Sequence, residues 1–179
     1  MKLMIRAAAA AGAALMLAMA SGCTVRPLLA TQEGVPGRQT TASLASVAVN
    51  PVSTRYAQEV RNELIFLLHG GAAQPVAPRY NLDLSVVLSV GSAAEVQRAH
   101  ENEPTAGTVT LIATYRLTEA ATGEPVAQGN RQVMSAFDRP LQEFAVLRAQ
   151  RDAEDRAARE LAELLRLAVA QDMARLNLQ

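Results

Sequence analysis

The stretch RYNLDLSVVLSV, residues 79–90, alternates without a break. Tyr80, Leu82, Leu84, Val86, Leu88 and Val90 fall on one side of an extended chain, and Asn81, Asp83, Ser85 and Ser89 on the other. A period of two marks a strand with one face in a core and the other in water. TVTLIATYRLTE, residues 108–119, repeats the pattern, with Val109, Leu111, Ala113, Tyr115 and Leu117 inward. The polar run over residues 91–107 is read as a loop joining the two. Thr122-Gly123-Glu124-Pro125 is a turn, and VAQGNRQVMSAF, residues 126–137, is the third strand of a meander, with Gly129 expected to mark a bulge.

Upstream, SLASVAVNPV (residues 43–52) reads as a short strand with Val47 and Val49 on one face. Ser53 or Thr54 then caps a helix in which Tyr56, Val60, Leu64, Leu67 and Leu68 recur at helical spacing, and Gly70-Gly71 ends it. Downstream, one long helix is expected from Leu141. Leu141, Ala145, Ala149, Ala153, Ala157, Leu161, Leu165 and Ala168 form a narrow stripe on it, whose alanines permit close approach to a sheet. Asp152 with Arg156, and Asp155 with Arg159, stand four apart in the favourable order, as on a solvated, self-paired face. The order strand, helix, three-stranded meander, helix predicts a two-layer α+β domain over residues 43–179. Two helices should pack on one face of a four-stranded mixed sheet. The returning helix makes the first strand parallel to the second.

The N-terminus is of a different kind. Lys2 and Arg6 precede an alanine-rich apolar run over residues 7–20, too short and too weakly apolar for a good membrane span. Ala20-Ser21-Gly22-Cys23 then matches a bacterial lipobox, although the strongest form has leucine in place of Ala20. An ordinary signal-peptidase site at Ala18-Met19-Ala20 is the alternative. Residues 1–22 are thus expected to be a lipoprotein signal peptide. Cys23, the single cysteine, would then carry the lipid, since a thiol accepts a diacylglyceryl group readily. Each buried methylene contributes about 0.8 kcal/mol, so two or more acyl chains make a durable anchor. Residues 24–42, rich in Pro, Gly, Thr and Gln, read as a tether. Thr24, where enteric lipoproteins kept at the inner membrane have aspartate, resembles an outer-membrane address.

The chain has 17 Lys+Arg against 17 Asp+Glu. Loss of Lys2 and Arg6 with the signal leaves a charge of roughly −2, which argues against nucleic acid as a partner. Every remaining basic side chain is arginine apart from the two histidines. With Cys23 acylated, neither a disulfide nor a thiol catalyst is left. His69 falls at a helix C-terminus and His100 in the long loop near Glu101 and Glu103; neither has a partner at metal-ligand spacing. G-x-S-x-G, P-loop and H-E-x-x-H motifs do not occur. The chain is therefore read as a non-enzyme without metal or cofactor beyond the lipid on Cys23.

TRYAQEVRNELIFLL, residues 54–68, resembles the first-helix signature of the LPS-assembly lipoprotein family LptE in its alphaproteobacterial form. The similarity continues through residues 115–165, in the Tyr-x-Leu strand, the Thr-Gly turn and the Arg-Asp-Ala-Glu helix. The resemblance implies two helices against a four-stranded sheet, a place at the outer membrane, and a plug role inside LptD, the β-barrel LPS translocon, with LPS as a ligand. A barrel interior is polar, and Asn81, Asp83, Ser85, Thr108, Thr110, Thr114 and Arg116 would give the plug a polar skin. An auxiliary lipoprotein of an ABC-type phospholipid or solvent transport system, and a purely structural envelope lipoprotein, are the alternatives. For LPS phosphate, the expected strand order places Arg55, Arg98 and Arg139 at the sheet end opposite the tether, with Arg79 and Arg131 away from it.

Overall fold

A computed structural model describes residues 43–94 and 106–176. The expected signal peptide, Cys23, the tether, Arg98 and His100 lie outside the described residues. The elements are β1 (Val47–Val49), α1 (Arg55–His69), β2 (Tyr80–Ala94), β3 (Ala106–Glu119), β4 (Pro125–Asp138) and α2 (Glu143–Leu176). The sheet order is β1-β2-β3-β4, with β1 parallel to β2 and the rest antiparallel. This is the α+β fold that the alternation predicts.

Most of the alternating residues sort as the pattern requires; Leu84 and Leu88 are half-buried, and Val90, read as inward, is 44% exposed near the far end of β2. Leu82, Val109, Leu111, Ala113 and Leu117 are fully buried, and Tyr115 nearly so. α1 supplies Ala57, Val60, Leu64 and Leu68 to the same core, and α2 supplies Ala153, Ala157, Ala158, Leu161, Ala162 and Leu165. α1 packs on β1 and β2; α2 packs on β3, β4 and α1. The six buried alanines of α2 let it lie close to its neighbours, which a leucine-lined helix would hold further off.

Several boundaries differ from the sequence reading. β1 is three residues long, because residues 43–46 form a helical turn that buries Leu44 and Pro51 turns the chain toward α1. β2 and β3 reach into the expected loop, pairing Gly91 with Thr108 and Ala94 with Ala106. The bulge expected at Gly129 falls at Val126 instead, since Leu117 pairs with Ala127 and Thr118 with Pro125. Gly129 serves Tyr115: a Cβ there would stand 2.9 Å from the tyrosine hydroxyl. Leu141 precedes α2 and is exposed, and Ala145 and Ala149 are only half-buried, because the first turns of α2 run past the core.

Thr54 occupies the N-cap position of α1, but its side chain makes no cap hydrogen bond. At the other end Gly70 adopts φ 61°, and its N–H reaches the Phe66 carbonyl. That left-handed residue is the stop expected from the glycine pair.

Candidate functional site

The surface with most to say about function is the sheet face turned away from the helices. Its rows follow from the register. Asp83 stands beside Arg116 and Gln128; Ser85 beside Thr114 and Asn130; Val87 beside Ile112 and Gln132; Ser89 beside Thr110 and Met134. Asp83, Ser85, Ser89, Thr114 and Arg116 are exposed, while Thr108 and Thr110 are half-buried by their neighbours. The only charged pair in these rows, Asp83 and Arg116, is directly cross-strand. Val87 (58% exposed), Ile112 (39%) and Met134 (63%) form an apolar island inside a field of hydroxyl and amide side chains. Such a face is wet on its own and loses little on meeting another polar, uncharged surface.

On the opposite face the two helices are held together by charge. Arg55, in the first turn of α1, reaches α2: Nη2 is 2.5 Å from Glu154 Oε2 and Nη1 is 3.0 Å from Asp155 Oδ1. Gln150 Nε2 donates to the other Glu154 oxygen at 3.0 Å. Glu154 is 7% exposed and is the buried charged residue of the described core. The hydrogen bond to Glu154, then that to Asp155, raises the Arg55 pKa above its ordinary value. The expected Asp155–Arg159 pair is replaced by this contact across the helices, whereas Asp152 and Arg156 do pair within α2. The charge run is therefore not only a solvated face.

Of the arginines singled out for phosphate, Arg55 is committed to two carboxylates, Arg139 is exposed just past β4, and Arg98 lies outside the described residues. Arg79 sits over the Tyr80 ring at 5.2 Å, and Arg131 donates to the Asn130 carbonyl at 2.5 Å. Among the described residues no group of His, Cys, Asp and Glu is arranged to hold a metal ion. No helix among them is long and apolar enough to cross a membrane.

Sequence reasoning missed a second tie between the layers. Tyr115 lies over Gly129, and its hydroxyl donates to Asp172 Oδ2 on α2 at 2.6 Å. Burial first, then the Asp172 bond, pushes the phenol up to about 12. The folded pKa lies above the unfolded value of about 10. This contribution is therefore fully present below pH 10 and is lost as pH rises toward 12. Tyr115→Phe should cost about 1 kcal/mol at neutral pH and flatten stability against pH between 10 and 12. Urea denaturation of both proteins at pH 7 and above pH 10 checks this; an unchanged alkaline slope would assign the titration elsewhere.

The comparisons with known proteins meet this geometry. The family model described as LptE, lipopolysaccharide-assembly, matches residues 44–169. The chain belongs to the LptE family. It is an LPS-assembly lipoprotein by that membership. Among solved structures it is similar to a Caulobacter crescentus CB15 protein described as a lipoprotein, at 26% identity and a TM-score of 0.61, covering 75% of this chain and 96% of that one. It shares its fold with a minor lipoprotein of Acinetobacter baumannii (12% identity, TM-score 0.50, 70% of this chain and 89% of that one). The rare lipoprotein B of Shewanella oneidensis is alike in fold too (11% identity, TM-score 0.50, 74% and 94%). No curated protein matches. The matched span of the LptE family model runs from the turn before β1 into the second half of α2, so family membership rests on the whole two-layer core.

Proposed function

We propose that this LptE-family chain is anchored by lipid on Cys23 to the periplasmic side of the outer membrane, and that it plugs and helps assemble an LptD-like β-barrel, with LPS as a ligand and no catalytic step of its own. The observation that carries the reading is the outer sheet face. It is broad and nearly uncharged, and its hydroxyls and amides match the polar lumen of a large barrel. The apolar island of Val87, Ile112 and Met134 offers a desolvated centre for such a contact. LPS phosphate is assigned to Arg98 and Arg139. Arg55, the third candidate, would have to share its guanidinium with the two carboxylates that hold it, so the other two are tested first.

Detergent extraction followed by size exclusion tests the reading. The protein should elute one-to-one with a much larger barrel protein, since plug interfaces bury a large area. Cys23→Ala should block fatty-acid labelling and reduce the yield of that complex. Recovery of the protein as an isolated monomer, or with an inner-membrane transporter, would sink the proposal. On the purified complex, Arg98→Ala with Arg139→Ala should weaken LPS binding more than Arg79→Ala with Arg131→Ala. Equal losses would remove the arginine assignment alone.

A further inference from the structure

Among the described residues the sheet has three stretches of edge without a strand partner; side chains bond the β1 edge and two points of the β4 edge. In an extended strand the N–H and C=O of one residue point to the same side, and successive residues alternate. The Asn50 amide donates to the Leu82 carbonyl at 2.9 Å, so even-numbered β2 residues face β1 and odd-numbered ones face β3. Carried through the register, Val47 and Val49 face the outer edge of β1, and even-numbered β4 residues face the outer edge of β4. On β1, His69 donates to the Val47 carbonyl, the Val49 amide donates to Gln74 Oε1 at 2.6 Å, and Arg61 Nη2 donates to the Val49 carbonyl at 2.9 Å. On β4, Arg131 takes the Asn130 carbonyl at 2.5 Å, and Arg156 takes the Ala136 carbonyl at 2.9 Å. Charged side chains laid on an edge are how sheets avoid unwanted pairing.

The third stretch meets no such side chain among the described residues. β1 ends at Val49, and β2 continues for another twelve residues beyond Leu82. Leu84, Val86, Leu88 and Val90 therefore present N–H and C=O groups to an edge with no strand partner among the described residues. Beside them is a hollow of about 480 Å³ where the chain leaves β1, lined in part by Val52, Ser53, Thr54, Leu84 and Val86. Its lining holds no ionisable side chain, in contrast to the arginines and histidine on the other edges. The Thr54 hydroxyl, which fails to cap α1, is buried without a hydrogen-bond partner.

We propose that this edge accepts an extended segment of the barrel partner, added to the sheet in line with β1 and paired with residues 84–90. The inference rests on the barrel reading above. Alternating donors and acceptors at strand spacing are matched by another polypeptide strand, not by an acyl chain or a sugar. The uncharged hollow selects a segment whose inward residues are apolar or hydroxylated. Side chains on the β1 edge and arginines at two points of the β4 edge hinder pairing there, whereas no side-chain hydrogen bond among the described residues takes the edge-facing groups of residues 84–90.

Hydrogen exchange resolved to single amides, on the detergent-purified barrel complex and on the isolated protein, tests the proposal. The amides of Leu84, Val86, Leu88 and Val90 should exchange at least about tenfold more slowly in the complex, while those of Gln132 and Met134 on the β4 edge should not change. An intact complex without that protection overturns the inference and leaves the barrel reading standing. Failure to find a barrel complex overturns both. Protection in the isolated protein that grows with its concentration would assign the edge to a second copy instead. Val90→Pro removes one edge-facing N–H, which an edge strand tolerates; it should lower the yield of complex, whereas Gln132→Pro on the β4 edge should not. Unchanged β3 amide protection in both variants shows that the sheet is retained, and equal yields would count against strand addition.

Discussion

Replacing Arg55 by alanine is expected to destabilise the domain by about 2 kcal/mol, between the small value of an exposed pair and the 3–5 kcal/mol of a fully buried one. The intermediate figure follows from the geometry. The Glu154 side chain is 9% exposed and that of Arg55 48%. Removing the arginine leaves a carboxylate in the helix interface with only Gln150 as a donor. A domain of this size should lose about 8 °C in Tm. Adding Glu154→Gln to Arg55→Ala should recover about half of the loss, because a neutral amide needs no counter-charge. A fall of less than about 2 °C for the single variant would mean that water reaches Glu154 and that the clamp is ornamental. The result also bears on LPS. If Arg55 holds α1 to α2, any loss of LPS binding in its variant comes with loss of stability, whereas Arg139→Ala should leave the melting temperature unchanged.

The clamp shows where sequence reading stops. Alternation in residues 80–90 and 109–117 was enough to place Leu82, Leu111 and Leu117 in the core, because a period of two admits one inward face. The intervening helix was enough to make β1 parallel to β2. Charge partners carry no such periodicity. Asp155 and Arg159 stand at ideal spacing within α2, yet Asp155 bonds Arg55, one hundred residues away, because the packing of α1 against α2 brings the guanidinium to it. A long-range pair of this kind has no local signal. Length was equally hidden. The small side chains of residues 91–94 and 106–107 flank a polar run that suits a loop, but ladder pairing of main chain to main chain does not need large apolar side chains, and the hairpin extends through them. Glycine was misread for a related reason: Gly129 looked like a bulge, whereas a ring from the neighbouring strand occupies the space its missing side chain leaves.

The same packing occurs once more, at the other end of the β3–β4 pair, and it carries the second large effect. Gly107 pairs with Phe137, and a Cβ on Gly107 would stand 2.3 Å from the phenylalanine ring. No carbon atoms approach that closely, so Gly107→Ala must displace the ring. Phe137 is 7% exposed and lines a hollow of about 290 Å³ between the end of the sheet and α2, so a displaced ring moves toward that hollow and gives up apolar burial. Overpacking of this kind costs about 1–3 kcal/mol, and a value near 2 is expected here, because the end of a sheet yields more than its middle. Gly91→Ala is the control. Its Cβ meets no atom within 4 Å. Loss of glycine's freedom in the unfolded chain should leave that variant neutral or stabilised by about 0.5 kcal/mol. The discriminating measurement is the double variant Gly107→Ala with Phe137→Leu. Leucine gives up the atoms that clash, so the two losses should sum to less than their separate values by about 1 kcal/mol. Strict additivity would mean that the alanine is accommodated by a shift of β3, and that the ring over Gly107 is not what requires a glycine there.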